Sequence, residues 1–463
     1  MTSPIPEYPV PAPARLVATL VVPLPFSGAG DAPHVEPFPG GQRLVQRGDA
    51  ELVVRELGRT GVTGEAAPEL RFRAPWPRRY GSCAVAPAGD LAVFAGPHAL
   101  HAVDPAGAVR WELRHRCWAG CAGHEDFAEY ADDPGHRYGG SGSAGFSADG
   151  TLVWAHVRGP LAEEWLVLDA ADGRVLARTE TRTSAAGSVH VPHPDPSQMG
   201  LTIGEGQDGS PLRWGRWDGQ ALTVDCFGDE DRVLMAVSPS GDRLLTVTHD
   251  QDTLAAHRVA DGTVVAALGA DTLPGHPDAH PDDEDEDDAA EVFFDYVGGF
   301  ITEDVAVVGT VESDEEFGAG RHWLVDLKGM RLDDELTYPF PVTGQAHTLG
   351  DGTWFTASRT ESALHVWSLA TAYLEWWANP LTCLARIQIR VTATAGGGDG
   401  DEGGEWEAVI TEPLDADAHG HLRRLLDDDP YFTLRLEDEE VIEVKVELLG
   451  AADRLRLAAV SDS

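Results

Sequence analysis

The chain has 463 residues, 42% of them apolar, with 77 Asp and Glu against 34 Lys and Arg and a net charge of −43. That charge excludes nucleic acid and anionic membrane surfaces, both of which are held through clustered basic residues. Five scattered cysteines make no disulfide framework and suit a reducing cytoplasm, while 51 Gly and 31 Pro favour many turns and short strands over long helices.

Residues 1–14 are Pro-rich and aperiodic and read as an extended arm, with no basic segment followed by an apolar one to mark export. Leu16 to Val22 reads as a strand that can pair with the last repeat and close a ring. No run of 18 apolar residues occurs, so a cytoplasmic protein with no membrane span is expected.

From residue 38 a repeat begins. Cys83 to Ala95, Ala144 to His156 and Leu234 to Val247 share one frame: an apolar strand, a small-residue turn containing Gly, and a second apolar strand. Gly supplies the positive φ of such a turn. A second frame follows each first one, at Leu100 to Trp111, Trp165 to Ala177 and Leu254 to Ala266. Two successive hairpins make a four-stranded meander, the blade of a β-propeller. First-hairpin turns fall near Asp49, Gly89, Gly150, Asp195, Gly241, Glu303 and Gly352, and second-hairpin turns near Gly107, Gly173, Gly219, Gly262, Gly329 and Ala372. They predict seven blades over residues 38–380, with six or eight as the neighbouring counts.

Val237-Ser-Pro-Ser-Gly241, Phe146-Ser-Ala-Asp-Gly150 and Leu364-His-Val-Trp-Ser-Leu-Ala-Thr371 resemble WD40-like bacterial repeat propellers. The resemblance implies the propeller fold over that span; the Gly-His and Trp-Asp pairs of the family are not repeated through the blades.

Between the second and third expected blades stand His115, Cys117, Cys121 and His124. Two thiols and two imidazoles within ten residues form a candidate Zn²⁺ site, with a plain surface loop as the alternative and a reversible Cys117–Cys121 disulfide as a third reading. No other cofactor is expected. The connection runs on to Gly142, long enough to shape a binding face. Glu163 and Glu164 read as a solvated turn. His190, His193, Arg213 and Trp214 form a polar and aromatic group suited to an anionic or sugar-like ligand. Residues 271–290 carry an acidic run that self-repulsion keeps solvated, with cation binding as the lesser reading.

After Pro380 the pattern changes. Alternation over Leu384–Val391, a helix from Asp415 to Asp427 and closing strands near Tyr431, Val441 and Leu455 predict a small α+β domain over residues 381–463, after an arm over 1–37. The expectation is an all-β propeller with this extra domain, a monomer acting as a protein-interaction or ligand-binding scaffold and not an enzyme. The alternative is a hydrolase or lyase using a divalent ion with His and Asp in the central channel. No G-x-S-x-G, P-loop, dinucleotide glycine pattern or H-E-x-x-H occurs.

Overall fold

The computed structural model describes residues 12–25, 31–38, 41–57, 69–118, 142–227, 231–275, 292–312, 321–342, 344–370, 372–379, 382–393, 405–410, 414, 416–436, 441–449 and 454–460. The chain divides into two compact units, one covering Val17–Leu332 with Val342–Val366 and the other the remainder.

The larger unit is a β-propeller. Five separate four-stranded antiparallel sheets follow one another in chain order, starting at His34–Phe38, Ser82–Val85, Ser143–Phe146, Gly187–Pro192 and Arg232–Val237. The next strands form one eight-stranded sheet, whose two halves start at Val292–Phe300 and at His347–Thr348, so the sheets suggest seven blades. The turns explain the repetition. Gly89, Gly150 and Gly241 of the first hairpins, and Gly107, Gly173 and Gly262 of the second, all hold positive φ. Gly329 departs from the pattern, because there the positive φ falls on Met330.

The expected ring closure is present. Strand Ala12–Val21 lies beside Ala363–Leu369 as the fourth strand of the seventh blade, and the Val22 amide donates to the Ser362 carbonyl at 3.1 Å. Leu20 and Val22 then share one buried cluster with Val35 and Leu44 of the first blade and Leu349, Phe355 and Leu364 of the seventh. An apolar core common to first and last blades holds the ring shut without a covalent link.

Two boundaries move. His34–Phe38 is the first strand of the first blade, not part of an arm, and Asp49 sits in that blade's second turn, between Gly41–Arg47 and Glu51–Leu57. Strand Ala372–Asn379, expected to end the last blade, instead pairs with Thr382–Ala393 and Tyr431–Leu436.

That strand completes the smaller unit, a closed barrel running Ala372–Asn379, Thr382–Ala393, Glu405–Ile410, Arg454–Ala459, Val441–Leu448 and Tyr431–Leu436. Alternation places Leu374, Ile389, Phe432, Val444 and Leu457 inside, and helix Ala416–Asp428 adds Leu422 and Leu425 to the same core. The domain is α+β by content, but closure needs six strands, and the sixth is the one assigned to the propeller.

Candidate functional site

The seam between the third and fourth blades collects the polar side chains of greatest chemical interest. It is built from large and small residues in register. Trp154 and Trp165, both fully buried, face each other across the second and third strands of the third blade with ring centres 5.3 Å apart. Gly215 of the fourth blade leaves room for these rings: a Cβ there would meet Trp154 at 2.6 Å and Trp165 at 2.8 Å. Gly145 does the same on the inner strand, where a Cβ would lie 2.9 Å from the Cβ of His190. Small residues thus let two sheets approach closely enough for side chains on Ser143–Phe146, Leu152–Arg158 and Gly187–Pro192 to bond across the seam.

Those bonds form one chain. Trp165 Nε1 donates to His190 Nε2 at 2.9 Å, and His190 Nδ1 lies 2.8 Å from Ser143 Oγ. Ser143 Oγ lies 2.8 Å from Ser188 Oγ, which lies 3.0 Å from His156 Nδ1. His156 Nε2 makes no hydrogen bond and faces Glu163 Oε2 at 3.5 Å. The indole end fixes the direction of the protons along the chain. An indole nitrogen only donates, so His190 Nε2 must accept and Nδ1 carries the hydrogen. Ser143 then accepts from His190 and donates to Ser188, and Ser188 donates to His156 Nδ1. The tautomers assigned from this network give a single direction: Trp165 to His190, Ser143, Ser188 and His156.

Local structure holds the acidic end in place. Arg182 adopts φ 58, in the left-handed region, within the link between the two blades. The link directs Thr183 Oγ1 and the Ala185 amide onto Glu163 at 2.6 and 2.8 Å, and Arg158 Nη1 approaches at 3.4 Å. Burial disfavours the charged carboxylate, but the His156 ring beside it and hydrogen bonds from Thr183 and the Ala185 amide outweigh it and hold Glu163 below the usual range. His190 is pushed down to about 3, first by burial and then by His156, so it is neutral at pH 7. Trp118 sits edge-on to His156 at 5.2 Å, and a Cβ on Gly142 would strike both the His156 carbonyl and the Trp118 ring. Ser188 is half-buried, Val189 beside it is 62% exposed, and a Cβ on Gly187 would meet nothing within 4 Å. Alternation along the strand turns Gly187 and Val189 to the face opposite Ser188 and His190, so that open space lies across the strand from the hydroxyl pair.

The structure places the sequence-predicted residues differently. Of His190, His193, Arg213 and Trp214, only His190 belongs to this chain. His193 is buried in the next seam, with Nε2 2.8 Å from the Gly241 carbonyl and Nδ1 accepting from the Asp195 amide at 3.0 Å. Trp214 is fully buried against it at 5.6 Å and donates to Gln198. Arg213, on the opposite face of the same strand, donates Nε to the Thr181 carbonyl at 3.2 Å. His193 and Trp214 pack on each other, His190 and Arg213 have other partners, and the four do not converge as one group. Glu163 corrects a second reading: expected as a solvated turn, it is 2% exposed at the start of strand Glu163–Asp169.

Of the candidate zinc ligands, Cys117 is buried, and His115 points Nδ1 at the Arg116 carbonyl at 2.7 Å and is held down to about 4, chiefly by burial. Cys121 and His124 lie outside the described residues, as do most of the connection that follows them and the acidic run of residues 282–288. Among the described residues no three His, Cys, Asp or Glu side chains gather as for a metal ion. No described helix is long and apolar enough to cross a membrane.

Ser143, His156, Glu163, Trp165 and Ser188 escaped the sequence reading. One signal was available. The hairpin turn at Gly159 sets a register in which His156 opposes Trp165 and Arg158 opposes Glu163, which places an ionisable pair at one end of a buried strand pair.

No protein-family model and no curated protein matches the sequence. Solved structures similar to the chain are propellers. BamB from Moraxella catarrhalis matches at 12% identity over 77% of this chain and 98% of its own, with a TM-score of 0.40. The RRP9 WD40 repeats match at 10% identity over 77% and 99%, with a TM-score of 0.46. The WD40 domain of SCAP from fission yeast matches at 9% identity over 96% and 98%, with a TM-score of 0.42. The successive four-stranded sheets make the larger unit a β-propeller in fold. Likeness at this level transfers no activity, ligand or partner.

Proposed function

We propose that the protein is a propeller scaffold that binds a small molecule or a protein segment at the seam between its third and fourth blades. The observation that carries this reading is the row of polar side chains, Trp165, His190, Ser143, Ser188 and His156, bonded to one another across the seam, with Ser188 only half-buried. A few placed polar groups beside an apolar contact suit a ligand with a hydrogen-bonding head and an apolar body. The net charge of −43 disfavours nucleic acid and other polyanions. A reaction run by a divalent ion finds no convergent ligands among the described residues.

A ligand-observed NMR screen of a neutral fragment library, run on wild type and Ser188→Ala, tests the reading. The substitution removes one half-buried hydroxyl from the polar row, so the fold should hold. Hits bound by wild type and lost in the variant support the seam as the binding place. Hits that bind both proteins equally, or no hits at all, overturn it.

A further inference from the structure

We propose that the outer edge of the fifth blade, strand Val264–Gly269, accepts an extended protein segment as an added strand, one with apolar residues at alternate positions and Lys or Arg at its ends. The site lies away from the seam of the third and fourth blades and does not depend on the binding read there.

The first support is a contrast among blades. The outermost strand of a blade has one unpaired edge, which natural sheets guard with charged side chains or cover with another strand. Every other outer strand carries such charges: Arg71 in Glu69–Arg73, Glu112 in Val109–Arg114, Arg178 in Val175–Glu180 and Asp225 in Leu222–Asp225. Strand Arg331–Thr337 carries Asp333 and is also covered, since it pairs with Ala12–Val21, which has Arg15. Val264–Gly269 reads Val-Val-Ala-Ala-Leu-Gly and has no charge at all. Among the described residues it pairs with Thr253–Arg258 alone.

Backbone geometry leaves its free side ready for pairing. The Ala270 amide donates to the Asp252 carbonyl at 2.7 Å, while the Thr253 amide turns the other way, to Thr248 Oγ1 at 3.0 Å. Bonded pairs alternate in an antiparallel ladder, so Leu268 bonds Leu254 and Ala266 bonds Ala256. The Ala267 N–H and C=O and the Gly269 N–H then point off the open edge, and the Gly269 carbonyl accepts from Thr272 Oγ1 at 2.6 Å. The bulge in this ladder is confined to Val265, so Ala266 to Gly269 run regularly.

Side chains and charge choose the occupant. Leu268 is buried in a core with Phe294 of the sixth blade, whereas Val265 is 55% exposed and Ala267 is exposed on the opposite face. The small Ala266 and Ala267 leave room on both faces for larger side chains of an incoming strand, and such cross-strand neighbours stabilise pairing. Exposed Asp261, paired with Arg258, stands in the turn before the strand, and exposed Asp271 stands just after it. These carboxylates and the net charge of −43 favour cationic ends on the segment and disfavour a second copy of this chain.

A fluorescein-labelled peptide, Lys-Lys-Val-Thr-Ile-Thr-Val-Lys-Lys, tests the edge, with the same peptide carrying Glu in place of Lys as its control. Fluorescence anisotropy should show saturable binding of the Lys peptide to the wild-type chain, weakening as salt rises, and no binding of the Glu peptide. Ala267→Pro removes one outward amide at an exposed position and should weaken binding by about tenfold. Ala267→Lys gives this edge the kind of charge the other outer strands carry and should weaken binding at least as much. Val109→Lys, on the outer strand of the second blade, should leave the affinity within about a factor of two. Hydrogen–deuterium exchange on the wild-type chain needs no variant: the Lys peptide should slow exchange over residues 264–269 and not in the other outer strands. No saturable binding, equal binding of the two peptides, unchanged affinity in folded Ala267→Pro, or slowed exchange only elsewhere would overturn the proposal. A wild-type dimer that Ala267→Pro dissolves would overturn it too, by placing a second copy on the edge.

Discussion

Between the third and fourth blades, His190 joins its two nitrogens to the side chains of Trp165 and Ser143. Between the fourth and fifth, His193 joins its two to the backbone of Gly241 and Asp195, while fully buried Trp214 packs on its ring. The residue types are alike and the sequence spacing is only three, yet the chemistry differs. Backbone partners fix one tautomer permanently, since a carbonyl cannot donate and an amide cannot accept. In the first seam the partners are side chains, and the Trp165 indole, which only donates, sets the tautomer of His190 and with it the direction of the chain. The first seam is a relay of side chains between blades, and the second is a clip that locks one blade's turn to the next.

Packing should matter equally in both seams, and this gives the largest expected effect. Trp165→Ala and Trp214→Ala each delete a fully buried indole. Each should cost about 3–5 kcal/mol, read as a lowered urea midpoint. If either costs under about 1 kcal/mol, the two seams are not matched in packing and the contrast between them loses its footing.

The next effect separates the seams by pH. His190 sits at about 3, and His322 and His347 at about 4, in each case chiefly through burial. Their folded values lie below the ordinary 6.5, so the unfolded chain takes up protons first as pH falls. The stability they permit is therefore complete above about pH 6.5 and is lost on descent towards the folded values. Between pH 6.5 and 5 each such histidine should remove about 2 kcal/mol. Glu163, held below its usual range, adds a loss only at lower pH, as its carboxylate protonates. Urea unfolding at pH 7 and pH 5 measures the total, and His190→Gln should reduce the difference by one histidine's share. An unchanged difference would mean that His190 does not stay neutral in the fold.

Much of the fold was legible because it is local. A Gly with positive φ marks Gly89, Gly150, Gly173, Gly241 and Gly262, and each turn announces the strands on either side. Strand Ala372–Asn379 was misplaced for the same reason: it follows the last blade directly, and only its distant partner Tyr431–Leu436 reveals that it closes a barrel. The seam was nearly invisible for a related cause. Ser143 and Ser188 are 45 residues apart, and Trp165 and His190 are 25 apart. No spacing rule joins them, because the connection is made by two sheets packing face to face. Glu163 and Glu164 looked alike in sequence, but alternation along the strand buries Glu163 in this network and turns Glu164 towards Arg178.

The smallest effect comes from two glycines on the inner strands of the third and fourth blades. At Gly145 a methyl group would lie 2.9 Å from His190 Cβ and 3.7 Å from Met199 Cε, so Gly145→Ala must push the neighbouring blade outward. Overpacking of this kind should cost about 1–3 kcal/mol. At Gly187 the same methyl meets nothing within 4 Å, and the backbone does not require glycine. There the lost freedom of the unfolded chain should dominate, leaving Gly187→Ala neutral or more stable by up to about 1 kcal/mol. Paired urea titrations at pH 7 give both numbers. The same pair sharpens the contrast, because displacing His190 also displaces its bond to Ser143 and so disturbs the chain that runs on to Ser188 and His156. Equal stabilities in the two variants would show that the blades are not in close contact at Gly145, and the hydrogen-bond chain that depends on that approach would fail with it.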